Sequence, residues 1–281
     1  MLFGMFLFSA VDTQAKFLTQ SLPAMQIVWF RQLGLLAGVF ILLAMQGMVV
    51  LKTNNLKLQI SRGVLAGSSA AIFIIAIQYV PIADAVAVSF VAPFLVTILG
   101  ALVLKEKVGI RRWTAVSIGF VGMLIVVRPG LGVVHPAAGL VLLAAAFFAV
   151  RQILSRFLSG SDRIRTTVAY TAIVSTAMLT LPLVFVWVTP STKLEWTLLA
   201  SMSICAAVAE TCVIKALEVA ESVALAPVHY SLLIWGTMYG YFVFHQLPDQ
   251  WTWLGAAIIM ATGIYTVHRE AVVARAKRKP D

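Results

Sequence analysis

Long apolar runs separated by short polar turns follow one another along the whole chain. Most of these runs are about 18 to 22 residues long, enough for a helix to cross a hydrocarbon core of about 30 Å. Backbone N–H and C=O groups find no water inside a bilayer, so each run is predicted to be a helix that bonds its own backbone. The pattern predicts an all-α integral membrane protein with ten spans, at roughly 2–18, 26–46, 62–80, 83–103, 111–127, 138–158, 166–188, 196–217, 221–244 and 250–268.

The composition supports membrane insertion and leaves little sequence for a soluble domain. Of the 281 residues, 61% are hydrophobic and 11% are charged, and the mean hydropathy is +0.96. Soluble domains carry about 25% charged residues. The longest polar stretch is a basic C-terminal tail at 269–281, which we expect to lie against anionic lipid headgroups on the cytoplasmic side.

The positive charges are divided unevenly between the two sides of the predicted membrane region. Of the 21 lysines and arginines, 16 fall on the side of the N-terminus, while Lys16, Arg128 and Lys193 fall on the opposite side and Arg31 and Arg151 lie inside spans. Cytoplasmic loops retain Lys and Arg, so both termini are predicted to face the cytoplasm of a bacterial-type inner membrane. The net charge of +10 therefore indicates orientation, and no RNA- or DNA-reading module points to nucleic acid as a partner.

Two halves of the chain carry a related pattern. The tripeptides at 16–18 and 156–158 both read as a basic residue followed by Phe-Leu, 140 positions apart. The segment IADAVAVSFVAP that starts at Ile82 is similar to VAESVALAPVHY, which starts at Val219. These matches indicate an internal duplication.

The duplication divides the ten spans into two sets of five. We predict a first repeat at 1–134 with spans 1–5 and a second at 135–268 with spans 6–10, followed by the tail at 269–281. A repeat with an odd number of spans forces its two copies into opposite orientations in the membrane. Inverted repeats with a site at their interface are typical of secondary transporters.

The sequence resembles the drug/metabolite transporter superfamily, and in particular its EamA-type members with ten spans. The resemblance rests on ADAVAVSFVAPFLVTILGALVLKEKV in the first repeat and on ESVALAPVHYSLLIWGTMYGYFVFHQLPDQWTWLGAAIIMATGIY in the second. It implies a cavity lined by spans 1, 3, 4, 6, 8 and 9, alternating access, and a metabolite such as an amino acid, riboflavin or S-adenosylmethionine. Many members have Gly-Glu at the end of span 9, where this chain has His245-Gln246, and we expect that difference to affect a helix-end contact.

Charged residues inside predicted spans are candidates for function because they are costly in a bilayer. Asp12 and Lys16 lie four residues apart on one face of span 1. Either they neutralise each other while Lys16 extends to the interface, or Asp12 faces the cavity and binds a cation or a proton. Arg31, near the start of span 2, either anchors the helix at the interface or binds an anionic group of the solute.

Arg151 and Glu210 are placed deeper, in spans 6 and 8. Two buried charges of opposite sign are expected to pair with each other or with the charges of spans 1 and 2. If the pair opens, Glu210 becomes the candidate carboxylate for proton coupling, since burial without a partner favours its protonated form.

Two prolines interrupt spans at matching places in the repeats, which is a pointer to a transporter site. Pro93 follows Ser89 in span 4, and Pro227 precedes a group of aromatic and imidazole side chains in span 9. We predict that Ser89 and Pro93 lie at the cavity. The residues predicted to stack a flat solute there are His229, Tyr230, Trp235 and Tyr239. The competing interpretation of each aromatic residue is packing or lipid contact.

Small-residue spacing marks places where helices cross closely. Gly34 and Gly38, Gly63 and Gly67, and Gly236 and Gly240 each have this spacing. Cys205 and Cys212 share a helix face but lie about 10 Å apart along the axis, too far for a disulfide.

The chain has no motif that points to an enzyme, a metal site or a cofactor. It lacks G-x-x-x-x-G-K-[ST], H-E-x-x-H, C-x-x-C and G-x-S-x-G, and its four histidines lack metal-ligand spacing. We therefore expect a secondary transporter that binds a small-molecule substrate within the lipid bilayer, and one chain suffices because it holds both repeats. The alternatives are an exporter of amino acids, an S-adenosylmethionine carrier, a membrane-embedded enzyme, a lipid scramblase or an assembly subunit.

Overall fold

A computed structural model of the chain describes residues 1–105, 109–127, 136–158, 160–219 and 226–277. Within these ranges the regular structure is helical, and no β-strand occurs. The α-helices are α1 (Leu2–Leu18), α2 (Ala24–Gln46), α3 (Leu56–Ile77), α4 (Ile82–Ser89), α5 (Ala92–Val103), α6 (Ile110–Val127), α7 (Ala138–Leu158), α8 (Ile164–Val186), α9 (Lys193–Val219), α10 (Ser231–Phe244) and α11 (Gln250–Lys277). Short 3₁₀ helices follow α2, at Gly47–Leu51, and precede α10, at Ala226–Tyr230.

Six segments of the described chain are long and apolar enough to cross a membrane, by length and composition alone. They are Ala24–Leu51, Leu56–Ile77, Ile82–Val103, Ala138–Leu158, Ile164–Val186 and Lys193–Val213. Large apolar side chains on their outer faces, such as Phe40, Leu181 and Phe185, are exposed. A multi-pass membrane protein buries such faces in lipid, so the apolar surface agrees with the predicted class.

The helix bounds agree closely with the apolar runs for spans 1, 2, 5, 6 and 7. Span 3 was expected to begin at residue 62, whereas α3 begins six residues earlier, at Leu56. The last helix also continues beyond the expected end at 268, as far as Lys277, so part of the basic tail is helical. The expected start of span 9, at 221–225, lies outside the described residues.

The α-helix is interrupted at both prolines that the sequence analysis singled out, Pro93 in span 4 and Pro227 in span 9, whereas α8 continues through Pro182. In span 4, α4 ends at Ser89 and α5 begins at Ala92, with Pro93 in its first turn. Proline lacks the N–H that would bond the carbonyl of Ser89, four residues earlier, and its ring clashes with that carbonyl. In span 9 the turn that holds Pro227 is 3₁₀ rather than α-helical, and the α-helix begins only at Ser231.

The two broken spans touch each other at their breaks. The ring of Phe90, directly after α4, lies 5.0 Å from the ring of Tyr230, directly before α10. Each broken span also ends on a residue in the left-handed conformation, Lys105 with φ 53° and His245 with φ 54°. Glycine is the residue that adopts this conformation without steric cost, and these two positions lack it.

Helices from the first half of the chain pack mainly on helices from the second half. α3 packs against α7 and α8, α9 against α1 and α2, α1 against α10, α5 against α7, and α6 against α11. Glycines permit some of these approaches: a Cβ on Gly34 would collide with the Ser203 carbonyl, and one on Gly63 would lie 2.6 Å from Val174 Cβ. The predicted close crossings at Gly34, Gly63 and Gly67 are confirmed, whereas nothing approaches Gly38 within 4 Å.

Candidate functional site

Five helices carry charged side chains into the bundle. They are Asp12 on α1, Arg31 on α2, Arg62 on α3, Arg151 on α7 and Glu210 on α9, and each is partly buried. Three carry a positive charge and two a negative charge. Because isolated charges are costly away from water, the partners of each side chain define what the group can do.

Asp12 pairs with Arg31, at 3.7 Å between Oδ1 and Nη1. Arg31 also lies over the ring of Phe8, with 5.9 Å from its Cζ to the ring centroid. The pairing that sequence spacing favoured, between Asp12 and Lys16, is therefore wrong. Asp12 pairs with a guanidinium on the neighbouring helix α2 and not with the ammonium four residues away on its own helix. Spacing in the sequence does not show which helices are neighbours.

Lys16 is buried among protein groups, with 8% of its surface exposed. Its Nζ donates to the carbonyl of Val80, at 2.7 Å, and to Oε1 of Gln246, at 3.2 Å, and it lies 5.2 Å from the centre of the Phe244 ring. These contacts join the ends of α1 and α3 to the turn after α10. They agree with the expectation that the His245-Gln246 dipeptide acts in a helix-end contact.

Arg62 is the residue that the sequence analysis missed. It was counted among the cytoplasmic charges because span 3 was expected to begin there, but it lies nearly two turns inside α3. Its Nε donates to Ser155 Oγ at 2.7 Å, and its Nη1 donates to the carbonyl of Thr167, at 3.4 Å, and to Thr171 Oγ1. The amphipathic run before it, LKLQI, was the signal of an earlier helix start.

Arg151 and Glu210 interact electrostatically but do not form an ion pair. Their charges are close enough to interact, and Arg62 and Arg31 also lie within electrostatic reach of Arg151. No nitrogen–oxygen distance between Arg151 and Glu210 is within 4.0 Å, so the expected direct pairing is absent. The helices explain this: α7 packs on α3, α4 and α5, whereas α9 packs on α1 and α2.

The Arg151 guanidinium stacks on Phe148, one turn earlier in α7, with Cζ 4.6 Å from the ring centroid. Its Nε is buried and has no hydrogen-bond partner in the described part of the chain. A buried donor without an acceptor costs about 1–3 kcal/mol, more when it is charged. Such a group is a site where a ligand or an ordered water is expected.

Two of the predicted aromatic residues come together beside α1. Phe6 lies 5.3 Å from the Trp235 ring in an edge-to-face arrangement and 5.6 Å from the Tyr239 ring. Two polar atoms of these helices, Ser9 Oγ on α1 and Trp235 Nε1 on α10, are buried without a partner among the described residues. This surface between α1 and α10 combines aromatic rings with unused hydrogen-bonding groups.

Tyr230 and Ser89, two other predicted residues of spans 4 and 9, make their contacts away from Trp235 and Tyr239. Tyr230 is 8% exposed and packs on Phe90 and against Gly263, where an added Cβ would collide with its hydroxyl. Ser89 Oγ donates to the Val86 carbonyl at 2.7 Å, so its hydroxyl is engaged. His229 and Pro93 are exposed. The expected single aromatic cluster is thus divided by the break in span 9.

A hydrogen-bond network at the N-terminal side of the bundle joins the two halves outside the predicted spans. The Asp162 carboxylate accepts from Thr53 Oγ1 at 2.5 Å, from Gln59 Nε2 at 2.7 Å and from the backbone N–H of Asn54 at 3.4 Å. Partial burial raises the pKa of Asp162, but these hydrogen bonds outweigh it and hold the pKa below its usual value. The carboxylate is therefore ionised at neutral pH and anchors this contact.

The described residues hold no group of three or more His, Cys, Asp or Glu side chains that could bind a metal ion. Cys205 and Cys212 are both free thiols, as their spacing predicts. The site therefore consists of charges, aromatic rings and unsatisfied polar atoms. That set suits binding of a small polar solute in an apolar bundle.

Comparison with known proteins places the chain among transporters. The sequence profile described as "EamA-like transporter family" matches residues 1–128. The chain is 27% identical to the S-adenosylmethionine uptake transporter of Rickettsia prowazekii (strain Madrid E), over 92% of this chain and 88% of that protein. It is 30% identical to the riboflavin transporter of Vibrio cholerae serotype O1, over 81% of this chain and 77% of that protein.

The fold is also found in a solved structure. That structure, described only as the crystal structure of a protein, superposes with a TM-score of 0.64 and covers 99% of both chains. The sequence identity is 15%, so the likeness concerns the fold alone.

Proposed function

This chain belongs to the EamA-like transporter family, and on that premise we propose that it moves its solute across a bacterial-type inner membrane by alternating access. It is a membrane transporter of small metabolites and not an enzyme. The S-adenosylmethionine and riboflavin transporters to which it is similar make compounds of that size the first candidates. The observation that carries the proposal is a group of charges contributed by both halves of the chain to the interior of an apolar bundle.

We propose that the two halves, 1–134 and 135–268, are inverted repeats of five spans each. The helix contacts support this. Exchanging the halves replaces each helix by its counterpart in the other repeat: α1 by α7, α2 by α8, α3 by α9, α5 by α10 and α6 by α11. Under this exchange one observed contact becomes another observed contact. The contact α3–α7 becomes α9–α1, α3–α8 becomes α9–α2, and α5–α7 becomes α10–α1, and all six occur. The contacts α2–α8, α6–α11 and that between the two broken spans are unchanged by the exchange, as expected on a two-fold axis.

The proposed ten-span topology also agrees with the loop contacts. Groups at the predicted outer ends of spans 2 and 7 bond each other: Gln26 Nε2 donates to the backbone carbonyl of Val188 at 2.8 Å. On the inner side Asn55 Nδ2 donates to Ser161 Oγ at 3.0 Å, and Tyr170 Oη donates to the Leu51 carbonyl at 3.0 Å. With the charge asymmetry, this supports both termini in the cytoplasm.

We propose that the solute binds between the two repeats, in contact with some of the candidate residues of both. Asp12, Arg31, Arg151 and Glu210 supply charges, and Trp235 and Tyr239 supply aromatic surface. Rocking of one repeat against the other would then expose these residues to each side in turn. Glu210, which has no ion-pair partner in the described chain, is the candidate for proton coupling.

Solute counterflow in proteoliposomes tests the function. Purified protein is reconstituted, loaded with unlabelled S-adenosylmethionine, riboflavin or mixed L-amino acids, and the uptake of the labelled compound is followed. We expect saturable exchange of at least one compound, and an imposed pH gradient should change its rate in the wild type but not in Glu210→Gln. Uptake no faster than in empty liposomes for every compound would contradict the proposal. Scrambling of a fluorescent phospholipid in the same vesicles would favour a scramblase instead.

A further inference from the structure

Among the residues that the structure describes, the guanidinium of Arg151 differs from its two neighbours in having no acceptor. Arg31 has the carboxylate of Asp12, and Arg62 has the two hydroxyls and the carbonyl already described. Arg151 has only the face of Phe148, and its buried Nε lacks any partner among the described residues. Guanidinium nitrogens offer donors in a fixed plane that matches a carboxylate with two parallel hydrogen bonds. Stacking on Phe148 holds that plane in one orientation.

Glu210 on α9 supplies the negative charge that complements Arg151 on α7. Its charge interacts with that of Arg151, but the two side chains stay beyond ion-pair distance because α7 and α9 pack on different neighbours. A solute that bridges them needs this separation: each charge-assisted hydrogen bond is about 2.8 Å long, and the solute's own charged atoms lie between. Direct pairing would fill the space that such a head group occupies.

An aromatic surface lies near the charged pair. Tyr239 is close enough to Cys205 on α9 for an electrostatic interaction, and Cys205 is about 7.5 Å along the helix axis from Glu210. Phe6 and Trp235 continue this surface on the α1 side. Five residues also turn the helix by about 140°, so only a solute with a long side chain would reach these rings from a head group between Arg151 and Glu210.

We propose that Arg151 and Glu210 together recognise the α-amino-acid head group of the solute, with the carboxylate on Arg151 and the ammonium on Glu210. This inference rests on the proposed transport function and names the class of its substrate. Each unpaired charge receives a counter-charge when the solute is bound. A neutral solute leaves both charges unpaired, and a simple amine or acid satisfies one of them.

Thermal unfolding of the detergent-purified full chain tests this assignment with defined probes. The panel contains the twenty L-amino acids and S-adenosylmethionine, all with the head group, together with riboflavin, which lacks it. For an amino acid that binds, two analogues are added; for L-tryptophan these are tryptamine, without the carboxylate, and indole-3-propionate, without the ammonium. We expect at least one zwitterion to stabilise the wild type, with an apparent Kd at least tenfold lower than that of either analogue.

Two variants, Arg151→Gln and Glu210→Gln, test recognition of the carboxylate and of the ammonium separately. Arg151→Gln should raise the Kd of the zwitterion at least tenfold and abolish the preference over the amine, while the preference over the acid remains. Glu210→Gln should abolish the preference over the acid only. Arg156→Gln, the same change one turn and a half further along α7, is the matched control and should bind as the wild type does.

Several results would overturn the inference. They are failure of every zwitterion to bind, less than a tenfold preference over both analogues in the wild type, or unchanged preferences in Arg151→Gln. The wild-type comparison decides even if Arg151→Gln does not fold. Binding and counterflow of riboflavin alone would overturn this inference and leave the transport function intact. Zwitterion binding without counterflow of any compound would instead remove the transport function and keep the head-group site.

Discussion

Substitution of two glycines on one face of α2 gives a sharp test of how the two halves pack. Gly34 lies against α9, and a Cβ added there would overlap the carbonyl of Ser203. The Ser203 hydroxyl also donates to the Phe30 carbonyl at 2.6 Å, one turn earlier in α2, so this segment of α9 is held close. Gly38, one turn further on, has no atom within 4 Å of the added Cβ.

The expected effects have opposite signs. Replacing glycine by alanine inside a helix favours folding by about 0.8–1.0 kcal/mol, and this gain applies to both positions. At Gly34 the collision involves backbone, which cannot rotate away, so the helices must separate. Overpacking of this kind costs about 1–3 kcal/mol and occasionally more. Gly34→Ala should therefore destabilise the fold by up to about 2 kcal/mol, while Gly38→Ala should stabilise it by at most about 1 kcal/mol.

Thermal unfolding in one detergent, at one protein concentration, measures the difference. Chains of a few hundred residues shift by about 2–4 °C for each kcal/mol, so the two midpoints should differ by several degrees. Gly34→Leu should unfold at a still lower temperature, because a longer side chain requires a wider separation of α2 and α9. Equal shifts of the same sign in both alanine variants would refute the close packing of α2 on α9.

Three further predictions concern other parts of the molecule. His245→Gly should raise the unfolding midpoint. The left-handed conformation costs about 1–2 kcal/mol for a residue with a side chain, and glycine avoids this cost but loses about 0.5–1 kcal/mol more backbone entropy on folding. An unchanged or lower midpoint would contradict the φ of 54° at this position. Asp162→Asn should lower the midpoint at neutral pH, and the difference from the wild type should vanish as the pH falls through the depressed folded pKa, below about pH 4, since the carboxylate stabilises the fold only while it is ionised. A difference that does not shrink at all between neutral pH and the lowest pH at which the wild type stays folded would exclude the charge as its cause. Trp235→Ala should reduce counterflow without reducing the yield of folded protein, while Trp253→Ala, an exposed tryptophan of α11, should leave counterflow unchanged; equal rates in both variants would remove Trp235 from the site.

The helices and the breaks in them were predictable because they depend on local chemistry. An apolar run of sufficient length in a bilayer has no alternative to helix, and α7 begins and ends at the predicted residues, Ala138 and Leu158. Pro93 breaks span 4 for a reason contained within five residues, the missing N–H and the clash with the Ser89 carbonyl. Glycine spacing likewise identified close crossings, although spacing alone did not separate Gly34 from Gly38.

The partners of the charged residues were not predictable, because they depend on which helices become neighbours. Asp12 lies one turn from Lys16 in the sequence, yet its partner is Arg31, while Lys16 is held by the ends of two other helices. The sequence placed Arg62 at the interface, but α3 begins six residues before it, and Arg62 bonds Ser155 on α7.

The order of apolar runs along the chain was thus enough for the membrane class and for most helix bounds, and it placed most of the buried charges on the correct helices. Those properties follow from the composition of each segment and from the solvent around it. Which charges meet, which rings face each other and which donor lacks an acceptor emerged when residues far apart in the sequence, such as Arg62 and Ser155, came into contact. Helices of similar apolar composition can pack in many ways, and the choice among them rests on close steric fit and on the pairing of a few polar groups, which are properties of the assembled bundle.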